Sequence, residues 1–182
     1  MNAGSQIHRR KSMRLKGFDY ASAGAYFVTI CTQDKKCLFG KIVDEKVNQS
    51  PIGRIAESCW QEIPQHFGHV NLDYYVVMPN HFHGILFFAD HNDGRGVQLN
   101  APTEANFYSK ISPNRKTLSV VIRTFKAAVT RQCRLNGHGH FKWQRGFYDR
   151  IVRDEDELNR IREYIITNPV KWQIDKENPT NL

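Results

Sequence analysis

Residues 70–88 read VNLDYYVVMPNHFHGILFF, and the reading of this stretch decides the architecture. Val70 to Met78 and His81 to Phe88 are rich in β-branched and aromatic residues, while Pro79-Asn80 between them has turn composition, so the segment reads as two strands joined by a turn. In a strand, side chains two apart share a face. His81 and His83 therefore project together, and Phe82 points the other way into packing. Two imidazoles on one face form a candidate metal pair, although a chain with eight His can show one H-x-H by chance.

Upstream, Ala25 to Thr32 (AYFVTICT) reads as a strand, Lys35-Lys36 as a turn, and Cys37 to Val43 as the hairpin partner of that strand. Ser50-Pro51 marks a helix start, with Ser as cap and Pro at the first helical position. Ile52, Ile55, Ala56, Cys59, Trp60 and Ile63 then form an apolar stripe at helical spacing. Downstream, 91–116 is polar and dotted with Gly, Asn and Pro, and reads as a long mobile loop. Leu118, Val121, Ile122, Phe125 and Val129 define a second amphipathic helix, and Phe147 to Val152 a short strand. Asp154, with Glu157 three residues on, starts a third helix that runs to about Asn168 and is stopped by Pro169. The order β-β-α-β-β-α-β-α predicts an α+β sandwich, a mainly antiparallel sheet with helices packed on it.

The chain has 182 residues, a length that favours one domain over 1–182 and allows a real core without disulfides. Its net charge of +8 reads as the footprint of a polyanionic partner or as a merely basic surface. Cys31, Cys37, Cys59 and Cys133 show no C-x-x-C spacing, which argues against a zinc knuckle or a thioredoxin-type motif. Cys31, Cys59 and Cys133 sit among apolar neighbours and read as reduced core thiols. With no signal-peptide-like stretch and no span long enough to cross a membrane, the expected location is cytoplasmic. Residues 1–15, with Arg9, Arg10 and Arg14, read as a basic arm that contacts DNA or is simply solvated.

The third helix adds chemistry. Tyr164 and Asn168 are four apart, hence neighbours on one helix face, at the edge of the stripe formed by Leu158, Ile161 and Ile165. A side-chain amide oxygen is a sound ligand for Mg²⁺ or Mn²⁺, and a Tyr beside it is a candidate nucleophile. The plainer reading is a packed Tyr with its hydroxyl in water and an Asn ending a helix before Pro. Two rivals stand against this set. His138-Gly139-His140 repeats the H-x-H pattern in a Gly-rich loop with no strand to hold its rings, and Tyr148 is a second candidate nucleophile on the last strand.

Four stretches carry a family resemblance: Gly24 to Thr29 (GAYFVT), Val76 to Phe88 (VVMPNHFHGILFF), Phe125 to Thr130 (FKAAVT), and Trp143 to Lys171 with WQRGFYDRIVRDEDEL and YIITNPVK. In these the chain resembles the REP-associated tyrosine transposases, within the single-tyrosine branch of the HUH endonuclease superfamily. The resemblance implies a ferredoxin-like sandwich of the HUH endonuclease type. It implies metal ligation by His81 and His83, a third ligand in Asn168 and a nucleophile in Tyr164, with Mg²⁺ or Mn²⁺ as cofactor. The implied activity is nicking and rejoining of single-stranded or hairpin DNA, such as REP-like palindromes, through a 5′-phosphotyrosine. The implied assembly is a monomer or homodimer, with no membrane partner. Arg123, Lys126, Arg145 and Arg150 are further candidate DNA contacts. The competing reading is a single-stranded nucleic-acid-binding protein without catalysis, for which an α+β sheet with exposed aromatics would suffice.

Overall fold

The computed structural model describes residues 22–89 and 117–181, so the 1–15 arm and the 91–116 loop lie outside the described residues. The strand β1 (Gly24–Cys31) runs through the middle of a four-stranded antiparallel sheet. On one side it pairs with β5 (His81–Phe88), Gly24 opposite Phe88 and Cys31 opposite His81. On the other it pairs with β6 (Tyr148–Val152), Ala25 opposite Val152. Next to β5 lies β4 (Val70–Val77), giving the order β4-β5-β1-β6. Counted among these four strands alone the order is 2-3-1-4, that of the ferredoxin-like split βαβ unit. The α+β sandwich read from the sequence is the observed fold.

One pairing differs from expectation. Cys37 to Val43 does not return along β1. Instead β2 (Gly40–Val43) pairs with β3 (Lys46–Gln49) in a separate two-stranded ribbon. The turn between them holds Asp44 and Glu45 at positive φ (48° and 59°), the twist that a two-residue hairpin turn requires. Local proximity lost to burial. Tyr26, Val28 and Ile30 of β1 are fully buried, and both edges of β1 are taken by strands distant in sequence.

Helix α1 (Pro51–Gln61) begins as predicted: Ser50 Oγ accepts from Gly53 N at 3.1 Å and donates to Leu38 O at 2.6 Å. A short α2 (Ile63–His66) follows, and α3 (Leu118–Leu135) carries the second apolar stripe. Residues of α1 and α3 belong to one core with Tyr26, Val28, Ile30, Phe82, Leu86 and Phe88. Trp60 centres it, 4.6 Å from Phe82 and 5.2 Å from Phe125 between ring centroids. No helix among the described residues is long and apolar enough to cross a membrane.

The final helix, α4 (Glu155–Thr167), covers the opposite face. Leu158, Ile161 and Ile165 pack on Ala25, Phe27 and Ile85. Its start is built as the sequence predicts. Asp154 Oδ1 accepts from Glu157 N at 2.7 Å, and Glu157 Oε2 accepts from Arg153 N at 2.9 Å. Arg150 of β6 pairs with the same buried Glu157. At mid-helix, Arg162 Nε donates to Asp73 Oδ2 at 2.8 Å, where β4 breaks its register with β5 between Leu72 and Tyr75. The alternation that sends Phe82 and Leu86 toward α1 and α3 sends His81 and His83 toward α4.

Gly84 lies on the Phe82 and Leu86 face of β5, and a Cβ built there would run into the Trp60 indole. Indole and strand are both packed, so Gly84→Ala is expected to lower stability by roughly 1–3 kcal/mol. Thermal and urea unfolding check this, and an unchanged midpoint would mean that Trp60 is free to move.

Candidate active site

The beginning of β5 sets His81 and His83 side by side, with ring centroids 4.4 Å apart and exposures of 0% and 2%. Each ring has its Nδ1 engaged: His81 with Asn80 Oδ1 at 2.9 Å, His83 with Thr29 Oγ1 at 2.9 Å across the β1–β5 pair. The Nε2 atoms are left for the site. Tyr164 of α4 brings its hydroxyl to 3.2 Å from His83 Nε2. Phe27 stacks on His83 at 5.3 Å and meets Tyr164 edge-on at 6.1 Å, so one β1 side chain backs both rings.

Asn168 follows the last residue of α4 yet keeps helical torsions (φ −59°, ψ −42°), so its side chain stays one turn beyond Tyr164. It is buried, close enough to both Tyr164 and His81 to influence their titration. The four residues singled out in the sequence as a metal and nucleophile set are thus brought together, all within one chain.

A fifth residue joins them. Past Pro169 the chain makes a 3-10 turn at Trp172–Ile174 and places Asp175, 8% exposed, beside the imidazoles. His81, His83 and Asp175 each offer a ligand atom, all within 4.8 Å of one another, the one such cluster among the described residues. Asp175 lies seven residues beyond Asn168, after the helix stop, where no periodicity links it to the pair. Its neighbour Glu177 bonds Lys35 Nζ at 3.2 Å and approaches Cys31 Sγ at 3.7 Å.

Electrostatics follow from burial. Desolvation pushes the His81 imidazole down to about 4, and holds His83 well below the ordinary histidine range, with the neighbouring His81 adding to the effect. Both rings are neutral near neutral pH, the form in which an imidazole can ligate. Burial also raises the Tyr164 phenol above its ordinary value, and the Asp175 carboxylate adds to it, while the Asn168 side chain acts in the opposite sense. His81 Nε2 and Asn168 Oδ1 are buried with no hydrogen-bond partner among the described residues. Buried polar atoms are seldom left so. Two orphaned donor atoms beside a carboxylate fit a divalent cation.

The rivals stand elsewhere. His138 and His140 sit after α3 with ring centroids 6.2 Å apart, and belong to no ligand cluster among the described residues. Tyr148 is 42% exposed on the edge strand β6, opposite Thr29, and reaches neither imidazole by a hydrogen bond. The proposed DNA-contacting cations are scattered. Arg9, Arg10 and Arg14 lie outside the described residues. Arg123 on α3 and Arg145 before β6 are exposed. Lys126 is turned to structural use: Nζ donates to Gln144 O (2.7 Å) and Gly146 O (2.8 Å) and lies 5.7 Å from the centre of the Trp143 ring. Arg150, though 56% exposed, is paired with Glu157.

No protein-family model matches the chain. It is 39% identical over 176 residues to an uncharacterized protein of Haemophilus influenzae, covering 96% of this chain and 95% of the relative. A second protein of that organism, named "Putative REP-associated tyrosine transposase", is 21% identical over 159 residues, 84% of this chain and 74% of the relative. Among solved structures, that of a REP-associated tyrosine transposase bound to a REP hairpin superposes with a TM-score of 0.59, covering 90% of this chain and 77% of its own. At 18% identity that likeness carries the fold. Fold and sequence together resemble those of a transposase. In sequence and in fold the chain is similar to the REP-associated tyrosine transposases.

The buried imidazoles give a pH signature. The unfolded chain protonates His81 near 6.5, whereas the folded chain resists until about 4, so between these values the unfolded state binds more protons. Without metal, stability is expected to fall as pH drops through this window, by on the order of 3 kcal/mol from His81 alone. Urea titrations in EDTA at stepped pH check this. The slope should flatten in His81→Asn, and an equally steep slope in that variant would assign the effect to other groups.

Proposed function

We propose that this protein nicks and rejoins single-stranded or hairpin DNA through a covalent link to Tyr164, with a divalent metal, Mg²⁺ or Mn²⁺, at His81, His83, Asn168 and Asp175. The observation that carries the proposal is the approach of the Tyr164 hydroxyl to within 3.2 Å of His83 Nε2, beside two orphaned ligand atoms. Nitrogen and oxygen donors of this kind suit Mn²⁺ or Mg²⁺. When bound, the metal would supply Lewis-acid polarisation of a phosphate oxygen.

The chain's own groups do the rest. Phe27 and the apolar stripe of α4 hold the phenol ring, and the contact with His83 aims its oxygen into the site. The Tyr164 oxygen bonds to phosphorus as the bond to the 3′ oxygen breaks. The proton lost by the phenol balances the one gained by the departing 3′ oxygen. The product is a 5′-phosphotyrosine that keeps the phosphodiester energy, so a DNA 3′-hydroxyl can reverse the step and join a strand. The +8 charge supports a polyanionic substrate. A hairpin is the substrate tested first, because the solved relative is bound to one.

Tyr164→Phe removes one oxygen and keeps the ring. Cleavage of a hairpin oligonucleotide with a single-stranded flank is expected to vanish, while hairpin binding persists and the unfolding midpoint shifts by no more than a few degrees. With the unaltered protein and Mn²⁺, a denaturing gel should show a covalent adduct on the segment 3′ of the cut, mapped by peptide analysis to Tyr164. Robust cleavage by Tyr164→Phe, or an adduct at Tyr148, would sink the assignment. Hairpin binding by a wild-type protein that cuts nothing would leave the binding-only reading.

The metal set is tested separately. Asp175→Asn and Asn168→Ala should each weaken Mn²⁺ binding by about 10-fold or more, measured by calorimetry. His81→Ala with His83→Ala should abolish Mn²⁺ binding and metal-dependent cleavage. Full activity in that double variant would remove the site.

A further inference from the structure

We propose that Asn80 is a positioning residue that sets His81 as a ligand and latches the Asp175 segment onto the site. The inference rests on the reading of His81 and Asp175 as metal ligands, and deepens it. Asn80 is fully buried in the turn between β4 and β5. Its side-chain amide nitrogen has two protons, and both are used: one goes to Lys35 O at 3.0 Å, the other to Glu177 O at 2.7 Å. With two carbonyls facing the nitrogen, the orientation of the amide is settled. Its oxygen must therefore be the atom 2.9 Å from His81 Nδ1.

An amide oxygen can only accept. His81 Nδ1 therefore carries the proton, and the lone pair lies on Nε2, the buried atom without a hydrogen-bond partner among the described residues. Preset tautomers of this kind are the usual work of residues behind metal-binding histidines. Asn80 does a second thing that such a residue need not do. By holding Glu177 O it ties down the segment in which Asp175 Oδ1 accepts from Glu177 N at 2.7 Å. The same side chain also holds Lys35 O, and Lys35 Nζ pairs with Glu177. The backbone of Asn80 is fixed in turn, its carbonyl accepting from Thr32 N at 2.9 Å and from Thr32 Oγ1 at 3.0 Å. One side chain thus joins the ligand on β5 to the carboxylate that arrives from the other end of the fold.

Two variants separate these roles. Asn80→Asp keeps an acceptor for His81 Nδ1–H but loses both donations to the carbonyls. Asn80→Ala loses all three bonds. Nitrogen-15 shifts of the imidazoles and amide hydrogen exchange are read without metal, and Mn²⁺ affinity by calorimetry. In the unaltered protein His81 should be protonated at Nδ1 and bare at Nε2. Asn80→Asp should retain that tautomer while the Glu177 amide exchanges at least about 10-fold faster. Asn80→Ala should lose the tautomer as well, and bind Mn²⁺ about 10- to 100-fold more weakly. The nitrogens of His83, whose Nδ1 faces Thr29, should not change in either variant, which separates this effect from general unfolding.

A wild-type His81 protonated at Nε2 would overturn the proposal, and this measurement needs no variant. So would unchanged Glu177 exchange in Asn80→Asp, or a wild-type tautomer in Asn80→Ala. Failure of the unaltered protein to bind Mn²⁺ would overturn the metal reading instead. The two metal-free readouts decide the role of Asn80 independently of it.

Discussion

The structure depends on a strand, β5, that is buried on both faces and must serve a different purpose on each. Phe82, Leu86 and Phe88 enter the core shared with α1 and α3, whereas His81, His83 and Ile85 face α4. A slip of one residue in its register would exchange these sets, placing imidazoles against Trp60 and Phe82 in the site. Pairing on both edges prevents this. β4 and β1 each hold β5, and Gly84 admits the Trp60 indole at the one position where a side chain would obstruct it.

The second requirement is a helix whose rotation about its own axis is fixed, because Tyr164 faces His83 only in one orientation. Three devices set it. Asp154 and Glu157 close the first turn, and Arg150 ties Glu157 to β6. The stripe of Leu158, Ile161 and Ile165 seats on Ala25, Phe27 and Ile85. Arg162 reaches Asp73 on β4, with its guanidinium 5.7 Å from the Tyr74 ring centre. The helix is therefore held at its start by β6 and at its middle by β4, strands at opposite edges of the sheet. Its free end carries Tyr164 and Asn168.

The chemistry of the site comes from what burial does to the groups gathered there. Imidazoles taken out of water are kept neutral, so their nitrogens keep their lone pairs. The phenol taken out of water is kept protonated, and the Asp175 carboxylate reinforces that. The same desolvation thus keeps both kinds of group neutral: it leaves the imidazole lone pairs free and opposes loss of the phenol proton. A cation among His81, His83 and Asp175 would favour the phenolate, because opposite charges at short range offset the cost of burial.

Much of the fold was legible in the chain. Period-two alternation and turn residues located β1, β4 and β5, and helical stripes with caps located α1, α3 and α4, because those signals are local. His81 and His83 were legible as a pair from strand geometry, and Tyr164 with Asn168 from helix geometry. That the two pairs face each other followed from the family resemblance and not from any spacing. The β2 hairpin was misassigned because pairing partners are selected by burial across the fold. β3, with the polar sequence KVNQ, gave no signal. Asp175 and Asn80 were not singled out in the sequence, and the intramolecular partners of Lys126 and Arg150, read there as candidate DNA contacts, were not legible either. The physical reason is common to all four. A hydrogen bond or ion pair between different elements leaves no trace in the spacing of the chain, whether its partners are seven residues apart or nearly a hundred, and only tertiary packing sets Asp175 beside His81, Glu177 O on Asn80, and Glu157 on Arg150.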